Sequence, residues 1–343
     1  MSQISIQRFE FGSYNTGTCS REKRKQSYSK KEGKVLQTMQ LTNLQNVTIS
    51  SDGISISSNA IKACVLNKVS IHFLNFNGIP YAMLYSPQYV EKEIGMAQLN
   101  AYNNGKGQKL IKQFVYGKIL NQTNLIKYQG KYNLKRNKEF RDNYSGSILK
   151  LKSLAKHVLE NETFDIEKLR LIMFGYEGQA SIIYWKMNAL LFKGKMEFEG
   201  RIRKKPSDLI NNMLNYGYGI LYSKIHEAII KSHLNPHMSY LHKPDSFKPT
   251  LVYDLIEEFR SQGVDRVIFA IVRKNTALKL ENKQLSDQTK QVIVKKILER
   301  MNVVEKFRGH EMRFFEIIQF QTNMMAKFLK GEVNNYRPYI KKW

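Results

Sequence analysis

A single glutamate in a mostly apolar stretch is the first residue that could do chemistry. Glu177 lies in residues 174–185, where most neighbours are small, apolar or aromatic. A lone carboxylate is costly to bury unless it is paired or bound to a cation. The window therefore indicates either a cation site or a glutamate at the exposed edge of a core helix.

A second candidate is a pair of acidic residues on one predicted helix. Asp254 and Glu257 are three residues apart and share a helix face, whereas Glu258 lies about 100° round from Glu257. Two carboxylates on one face repel each other unless a divalent cation or a basic group lies between them. The alternative is a solvated helix face.

The third candidate is an imidazole in a short segment between two prolines. His242 stands twelve residues before Asp254, so a turn could bring it back over the face that carries Asp254 and Glu257. Another histidine, His226, falls in the middle of a predicted helix among tyrosines and is interpreted as a packing residue.

Together, one glutamate, one histidine and an Asp/Glu pair form a ligand set suited to Mg²⁺ or Mn²⁺ bound to phosphate. Other chemistries lack support, because the sequence contains no GxxxxGK[ST], GxGxxG, HExxH or GxSxG motif. The candidate chemistry is therefore metal-assisted reaction at a phosphodiester.

The charge of the chain indicates a polyanionic partner. The formal net charge is +26, from 55 Lys and Arg against 29 Asp and Glu, and most of the excess lies beyond residue 100. Basic clusters of this kind supply most of the non-specific affinity for nucleic acid, although each cluster alone could be a solvated face. The candidate DNA contacts are Lys118, Lys193, Lys195, Arg201, Arg203, Lys204 and Lys205.

The elements that must position these residues change in character near residue 90. Alternating and β-branched segments at residues 35–41, 46–51, 54–57, 69–76 and 79–84 predict strands, and Ser58 and Asn59 predict the start of a short helix. A basic stretch, residues 21–34, is predicted to be a loop. We therefore expect a small β-rich domain over residues 1–90.

The remainder of the chain has helical periodicity. Ile111, Val115 and Ile119 recur at four-residue spacing and predict an apolar stripe on one helix. Gly331 is predicted to be the C-cap of the last helix. The expected fold class is α+β, with an all-α domain over residues 91–343. The other predicted helices cover residues 149–159, 164–192, 207–232, 250–261, 265–274, 286–307 and 312–330.

The composition also limits the setting of the protein. No apolar run approaches the length of a membrane span, no secretory signal is evident, and Cys19 and Cys64 have no metal-ligand spacing. We therefore expect no membrane association and a location in the reducing cytoplasm.

These segments, in this order, resemble the CRISPR adaptation integrase family, the "Cas-one" proteins. The resemblance rests on residues 47–49, 53–57, 60–61 and 69–74, then on 117–122, 177–180 with Tyr184, 215–221, the His242 segment and 251–260. Each piece alone is weak, but their order and spacing together are specific.

The resemblance implies a metal-dependent DNA integrase and endonuclease that inserts short fragments (spacers) into a CRISPR repeat array by 3′-hydroxyl attack. It implies Mg²⁺ or Mn²⁺ bound by Glu177, His242 and Glu257, with Asp254 as an adjacent functional carboxylate. It also implies a homodimer formed through residues 1–90 and a heterohexamer with a small dimeric partner, "Cas-two".

Three alternatives stay open on the sequence. A stand-alone metal-dependent nuclease for branched DNA shares every site residue and does not need the small partner. A transposon-type integrase is expected to carry an added DNA-binding module. A non-catalytic nucleic-acid-binding protein would tolerate replacement of Glu177, His242 and Glu257.

Overall fold

The computed structural model divides the chain into two compact units, residues 1–90 and residues 91–343. It describes residues 2–6, 10–15, 25–31, 34–40, 44–49, 54–67, 69–74, 80–86, 91–194, 196–274, 278–281 and 283–342.

The first unit combines two sheets with one short helix in its described part. A mixed sheet has the strand order β1-β5-β6-β7, in which β7 is antiparallel to β6 and the other neighbours are parallel, and β2-β3-β4 form an antiparallel sheet. Strands β5 and β6 are parallel, so the chain must cross over between them, and helix α1 lies in that connection. The elements are β1 (Ser2–Ile6), β2 (Glu10–Asn15), β3 (Lys25–Lys31), β4 (Lys34–Gln40), β5 (Leu44–Ile49), α1 (Ser58–Leu66), β6 (Ser70–Leu74) and β7 (Pro80–Leu84).

Most of the strand predictions for this unit are confirmed, and three details are corrected. Residues 54–57 form no strand apart from an isolated bridge at Ile56. Ser57, rather than Ser58 or Asn59, caps α1, because its side chain accepts the Ala60 N–H at 3.2 Å. The basic stretch 21–34 is not a loop where it is described, since Lys25–Lys31 is β3; residues 21–24 and 32–33 lie outside the described residues.

The second unit is mostly helical, as predicted. The helices are α2 (Lys92–Asn100), α3 (Lys106–Asn133), α4 (Lys138–Glu160), α5 (Ile166–Ala189), α6 (Leu209–Lys231), α7 (Thr250–Ile256), α8 (Arg266–Arg273), α9 (Asp287–Met301) and α10 (Phe314–Lys330). Helices α4, α5, α6 and α9 begin at side-chain caps; for example, Asp165 accepts the Lys168 N–H at 2.9 Å, and Asp208 accepts the Asn211 N–H at 2.8 Å.

Helix α3 runs through the core of this unit. The predicted stripe of Ile111, Val115 and Ile119 is fully buried, and α3 packs against α4 and α5. Burial of each such side chain contributes about 1.5–3 kcal/mol relative to exposure. The residues that follow this stripe are therefore held at a fixed depth inside the unit.

The expectation of an all-α second unit is corrected at two short hairpins. The helix predicted over residues 286–307 ends at Met301, and β10 (Val304–Phe307) then pairs with β11 (His310–Arg313). Arg308 and Gly309 both have positive φ at the turn, a conformation that glycine adopts without strain. The second hairpin pairs β8 (Leu280–Glu281) with β9 (Gln284–Leu285).

The end of α10 follows the prediction. Gly331 is its C-cap with φ of 87°, in the left-handed region that favours glycine. Residues 332–342 then continue without helix or strand along the second unit. None of the helices in the described ranges has the length and apolar composition that crossing a bilayer requires.

Candidate functional site

Three helices bring one lysine and two glutamates into contact. The ammonium of Lys118 on α3 forms a short ion pair with Glu177 Oε1 on α5, and lies 2.6 Å from Glu257 Oε2 at the end of α7. The three side chains are 7%, 16% and 6% exposed. The two glutamates predicted from separate motifs therefore converge, and a basic group lies between them.

A second cation holds the other oxygen of Glu257. Arg260 Nη1 lies 2.7 Å from Glu257 Oε1, one helical turn further along the chain. Burial alone would raise the pKa of Glu257, but Arg260 and Lys118 outweigh it and, with a smaller contribution from His242, hold the pKa at about 2. Glu257 is therefore a permanent carboxylate at physiological pH.

Asp254 holds the loop that carries His242. Its Oδ2 accepts the backbone N–H groups of Tyr240 and Leu241 at 2.7 and 2.9 Å, and its Oδ1 accepts that of His242 at 2.8 Å. The His242 ring atom Nδ1 is also 2.8 Å from Oδ1. Because a carboxylate only accepts, Nδ1 carries a proton, and in the neutral form of the ring Nε2 carries the lone pair.

The His242 ring is held between aromatic neighbours. Phe174 on α5 meets it edge-on at 5.6 Å between ring centres, and Tyr253 on α7 lies at 5.7 Å. Its side chain is 33% exposed, whereas that of Asp254 is fully buried. The loop is pinned further by Ser239, whose hydroxyl donates to the His242 carbonyl at 2.7 Å.

A buried network extends from Arg260 to Asp265. The Arg260 and Arg201 guanidinium groups lie 5.2 and 5.3 Å from the centre of the Tyr218 ring. The hydroxyls of Tyr218 and Tyr184 both donate to Asp265. Burial raises the pKa of Asp265 to about 6, and the two tyrosines offset only part of that effect.

The candidate DNA contacts divide into several environments. Lys118 is inside the site rather than on the surface, and Arg201 is hydrogen-bonded to Asn211 and Asn215 as well as stacked on Tyr218. Lys193 is exposed but ion-paired with Glu139 at 2.7 Å. Lys195 lies outside the described residues. Arg203, Lys204 and Lys205 are also exposed.

Sequence reasoning missed the role of two cations. It assigned Lys118 to the surface and gave no role to Arg260, although Arg260 stands three residues after Glu257 and so shares its helix face. Glu258 is off this face, as predicted, but it is buried and accepts the Tyr336 hydroxyl at 2.6 Å and the Tyr339 N–H at 2.8 Å.

The residues suit a divalent cation, although they are arranged around an ammonium. In the described part of the chain, no three His, Cys, Asp or Glu side chains converge closely enough to hold a metal ion. Glu257 Oε2 is buried, with the Lys118 ammonium 2.6 Å away. Two carboxylates that share one cation, beside an imidazole with a lone pair on Nε2, are the donor set that Mg²⁺ or Mn²⁺ takes.

Comparisons with known proteins point to one family. A family model described as "CRISPR associated protein Cas1" matches residues 14–309. The chain is 31% identical to the CRISPR-associated endonuclease Cas1 1 of Archaeoglobus fulgidus, over 92% of this chain and 94% of that protein.

Solved structures share the fold. One is a casposase bound to integration product, with a TM-score of 0.77 and 18% identity, covering all of this chain and 96% of the other. Another is a Cas6-RT-Cas1–Cas2 complex, with the same TM-score and identity, covering all of this chain and 36% of the matched chain.

Proposed function

Because the chain belongs to the CRISPR-associated Cas1 family, we propose that it is a DNA integrase and endonuclease of CRISPR adaptation. It inserts short DNA fragments into a repeat array: a 3′-hydroxyl of the fragment attacks a phosphodiester of the array. A new P–O bond forms, and the bond from phosphorus to the 3′-oxygen of the array strand breaks, leaving a free 3′-hydroxyl on that strand. The same residues cleave DNA when water takes the place of the hydroxyl.

We propose that the reaction depends on Mg²⁺ or Mn²⁺ held by Glu177, His242 and Glu257. The observation that carries this proposal is the convergence of Glu177 and Glu257 on one cation position near the His242 ring. A bound divalent ion polarises the phosphoryl oxygen and stabilises the charge that develops there.

The surrounding residues hold these side chains in place. Asp254 fixes the loop and the tautomer of His242, so that Nε2 is the atom offered to a ligand. Arg260 orients Glu257 through its other oxygen. Asp254 accordingly acts through His242, and Glu257 is the third ligand in this proposal.

The wider assembly is also part of the proposal. Residues 1–90 form the homodimer, and residues 91–343 bind DNA and carry the reaction. The small dimeric partner Cas2 joins two such dimers into a heterohexamer, and the similar Cas6-RT-Cas1–Cas2 complex, in which Cas1 and Cas2 occur together, supports that pairing. Because the substrate is the cell's own repeat array, we place the protein in the cytoplasm.

The test is strand transfer of a short duplex into a supercoiled plasmid that contains the repeat, with and without the small partner and with EDTA. Glu177→Ala and His242→Ala should each lower strand transfer and cleavage at least about hundredfold, the upper end of losses for residues that only support a metal ligand. DNA binding should remain. Glu160→Ala, at an exposed position of α4, is the matched control.

The stand-alone nuclease and the non-catalytic protein predict different results. Cleavage of branched DNA without strand transfer, unaffected by the small partner, indicates a stand-alone nuclease. Retained metal-dependent strand transfer in either variant contradicts the site. Replacement of Glu177, His242 and Glu257 without loss of function indicates a non-catalytic nucleic-acid-binding protein.

A further inference from the structure

Lys118 occupies the position between the two carboxylates where the proposed site requires a metal ion. Its ammonium uses Glu177 Oε1 and Glu257 Oε2, while Arg260 uses Glu257 Oε1. We propose that Lys118 is an internal cation that holds this site in the metal-free protein, and that a divalent ion must displace it to bind. This inference rests on the proposed metal-dependent function.

The charges explain why such a cation is needed. Glu177 and Glu257 come from helices α5 and α7, and two carboxylates at one buried point repel each other when nothing lies between them. An unpaired buried charge also carries a large desolvation cost. The Lys118 ammonium removes both penalties, so the ligands are held together before a metal arrives.

A divalent ion and the Lys118 ammonium would compete for the same oxygen atoms of Glu177 and Glu257. A divalent ion held between Glu177 and Glu257 would need the position that the Lys118 ammonium occupies. The ion and the ammonium also repel each other at such a separation. Metal binding therefore competes with the Lys118 ion pairs, and the affinity of the wild-type site for metal is lowered by that competition.

The side chain is suited to this movement, whereas its backbone is fixed. Lysine carries a compact point charge on a flexible four-carbon stem, so the ammonium can withdraw while α3 stays in place. The helix itself is held by buried residues such as Ile119 and Asn121. The released ammonium requires a new anion, and a DNA phosphodiester is the one that the proposed reaction supplies.

Titration of the full-length chain with Mn²⁺ by calorimetry tests the competition directly, without an activity assay. Lys118→Met keeps a similar length and removes the charge, so it should bind Mn²⁺ at least about tenfold more tightly than the wild type, or about 1.4 kcal/mol. Lys118→Arg keeps the charge and should bind no more tightly than the wild type.

Two controls make the result specific. Lys112→Met makes the same substitution on the same helix, at a lysine that donates to the Asn161 carbonyl at 3.1 Å, and should leave the affinity unchanged. Glu257→Gln should remove binding at this site. If Glu257→Gln has no effect on Mn²⁺ binding, the proposed metal site itself fails.

The sign of the change separates competition from a merely structural role. If the wild type binds Mn²⁺ through Glu257 and Lys118→Met binds equally or more weakly, Lys118 is not a competitor and the inference is wrong. Lys118→Met could fail to fold when no metal is bound, so its thermal unfolding is measured both in EDTA and in Mn²⁺. Folding restored by Mn²⁺ supports the inference, and a chain unfolded in both conditions overturns it.

Discussion

Asp254 and Glu257 share one helix face, yet they have different surroundings. Asp254 is fully buried and uses both oxygens on the backbone and ring of the His242 segment. Glu257 meets two cations, Lys118 and Arg260. The spacing of three residues predicts a common direction, but the neighbouring elements decide which carboxylate orients the histidine and which meets the two cations.

A second buried carboxyl gives a pH-dependent contribution to stability. Burial raises the pKa of Asp265 from 3.8 to about 6, so the folded protein binds this proton more tightly than the unfolded chain does. The contribution is complete below the unfolded value of 3.8 and is lost as pH rises through about 6.

We therefore expect the free energy of unfolding of the wild type, relative to Asp265→Asn, to fall by up to about 3 kcal/mol between about pH 4 and pH 6.5. Urea unfolding of both proteins, followed by far-ultraviolet circular dichroism, measures the difference. A constant difference between wild type and Asp265→Asn would contradict the raised pKa.

At the scale of elements, the segment after α10 packs against the end of α7. Glu258 accepts the Tyr336 hydroxyl and the Tyr339 N–H, while Asn121 on α3 donates to the carbonyls of Glu258 and Tyr339 at 2.9 and 2.6 Å. Lys118 and Glu257 are each close in sequence to these contacts. The C-terminal segment thus fixes α3 against the end of α7.

Gly117 allows this close approach. A Cβ at this position would lie 2.7 Å from Pro338 Cβ, so Gly117→Ala should force α3 and the C-terminal segment apart. Overpacking should lower the free energy of unfolding by about 1–3 kcal/mol. The higher helix propensity of alanine should offset up to about 1 kcal/mol of that loss. The urea midpoint of the full chain measures the change.

Gly146→Ala on α4 is the matched control, because a Cβ there meets nothing within 4 Å. Only the helix propensity acts at that position, so this variant should gain up to about 1 kcal/mol. Equal effects of the two substitutions would show that the contact with Pro338 is not limiting.

At the scale of the whole molecule, the charge of +26 separates into cations with different roles. Lys118, Arg201 and Arg260 are engaged inside the second unit by carboxylates, amides or an aromatic ring. Exposed lysines and arginines remain for a polyanion, and those contacts are screened by salt.

Replacing Arg203, Lys204 and Lys205 together with alanine should flatten the salt dependence of DNA binding. The slope of log affinity against log salt should change by about 0.9 for each DNA phosphate that the variant no longer neutralises. Fluorescence anisotropy with a labelled duplex at several salt concentrations measures it. The control is the triple alanine variant of Lys290, Lys295 and Lys296 on α9, which removes the same net charge. Identical salt slopes for the two triple variants would show that Arg203, Lys204 and Lys205 have no specific role in DNA binding.

The sequence by itself determined the local structure and the candidate residues. Apolar spacing predicted the buried stripe of α3, and β-branched segments predicted β4 to β7, because both patterns depend on neighbours a few residues apart. The hairpin after α9 was missed, since residues 286–307 were assigned to one helix although Arg308 and Gly309 follow as a turn. The family resemblance supplied the candidate ligands.

Only the tertiary structure decided how those residues are used. Lys118 meets Glu177 across 59 residues of chain and Glu257 across a longer stretch, and Arg201 reaches Tyr218 rather than the surface. Charge and periodicity are properties of one segment, whereas an ion pair between helices depends on the packing that brings their faces together. For that reason the sequence predicted Glu177 and Glu257 as candidate ligands, and the fold showed that a lysine lies between them.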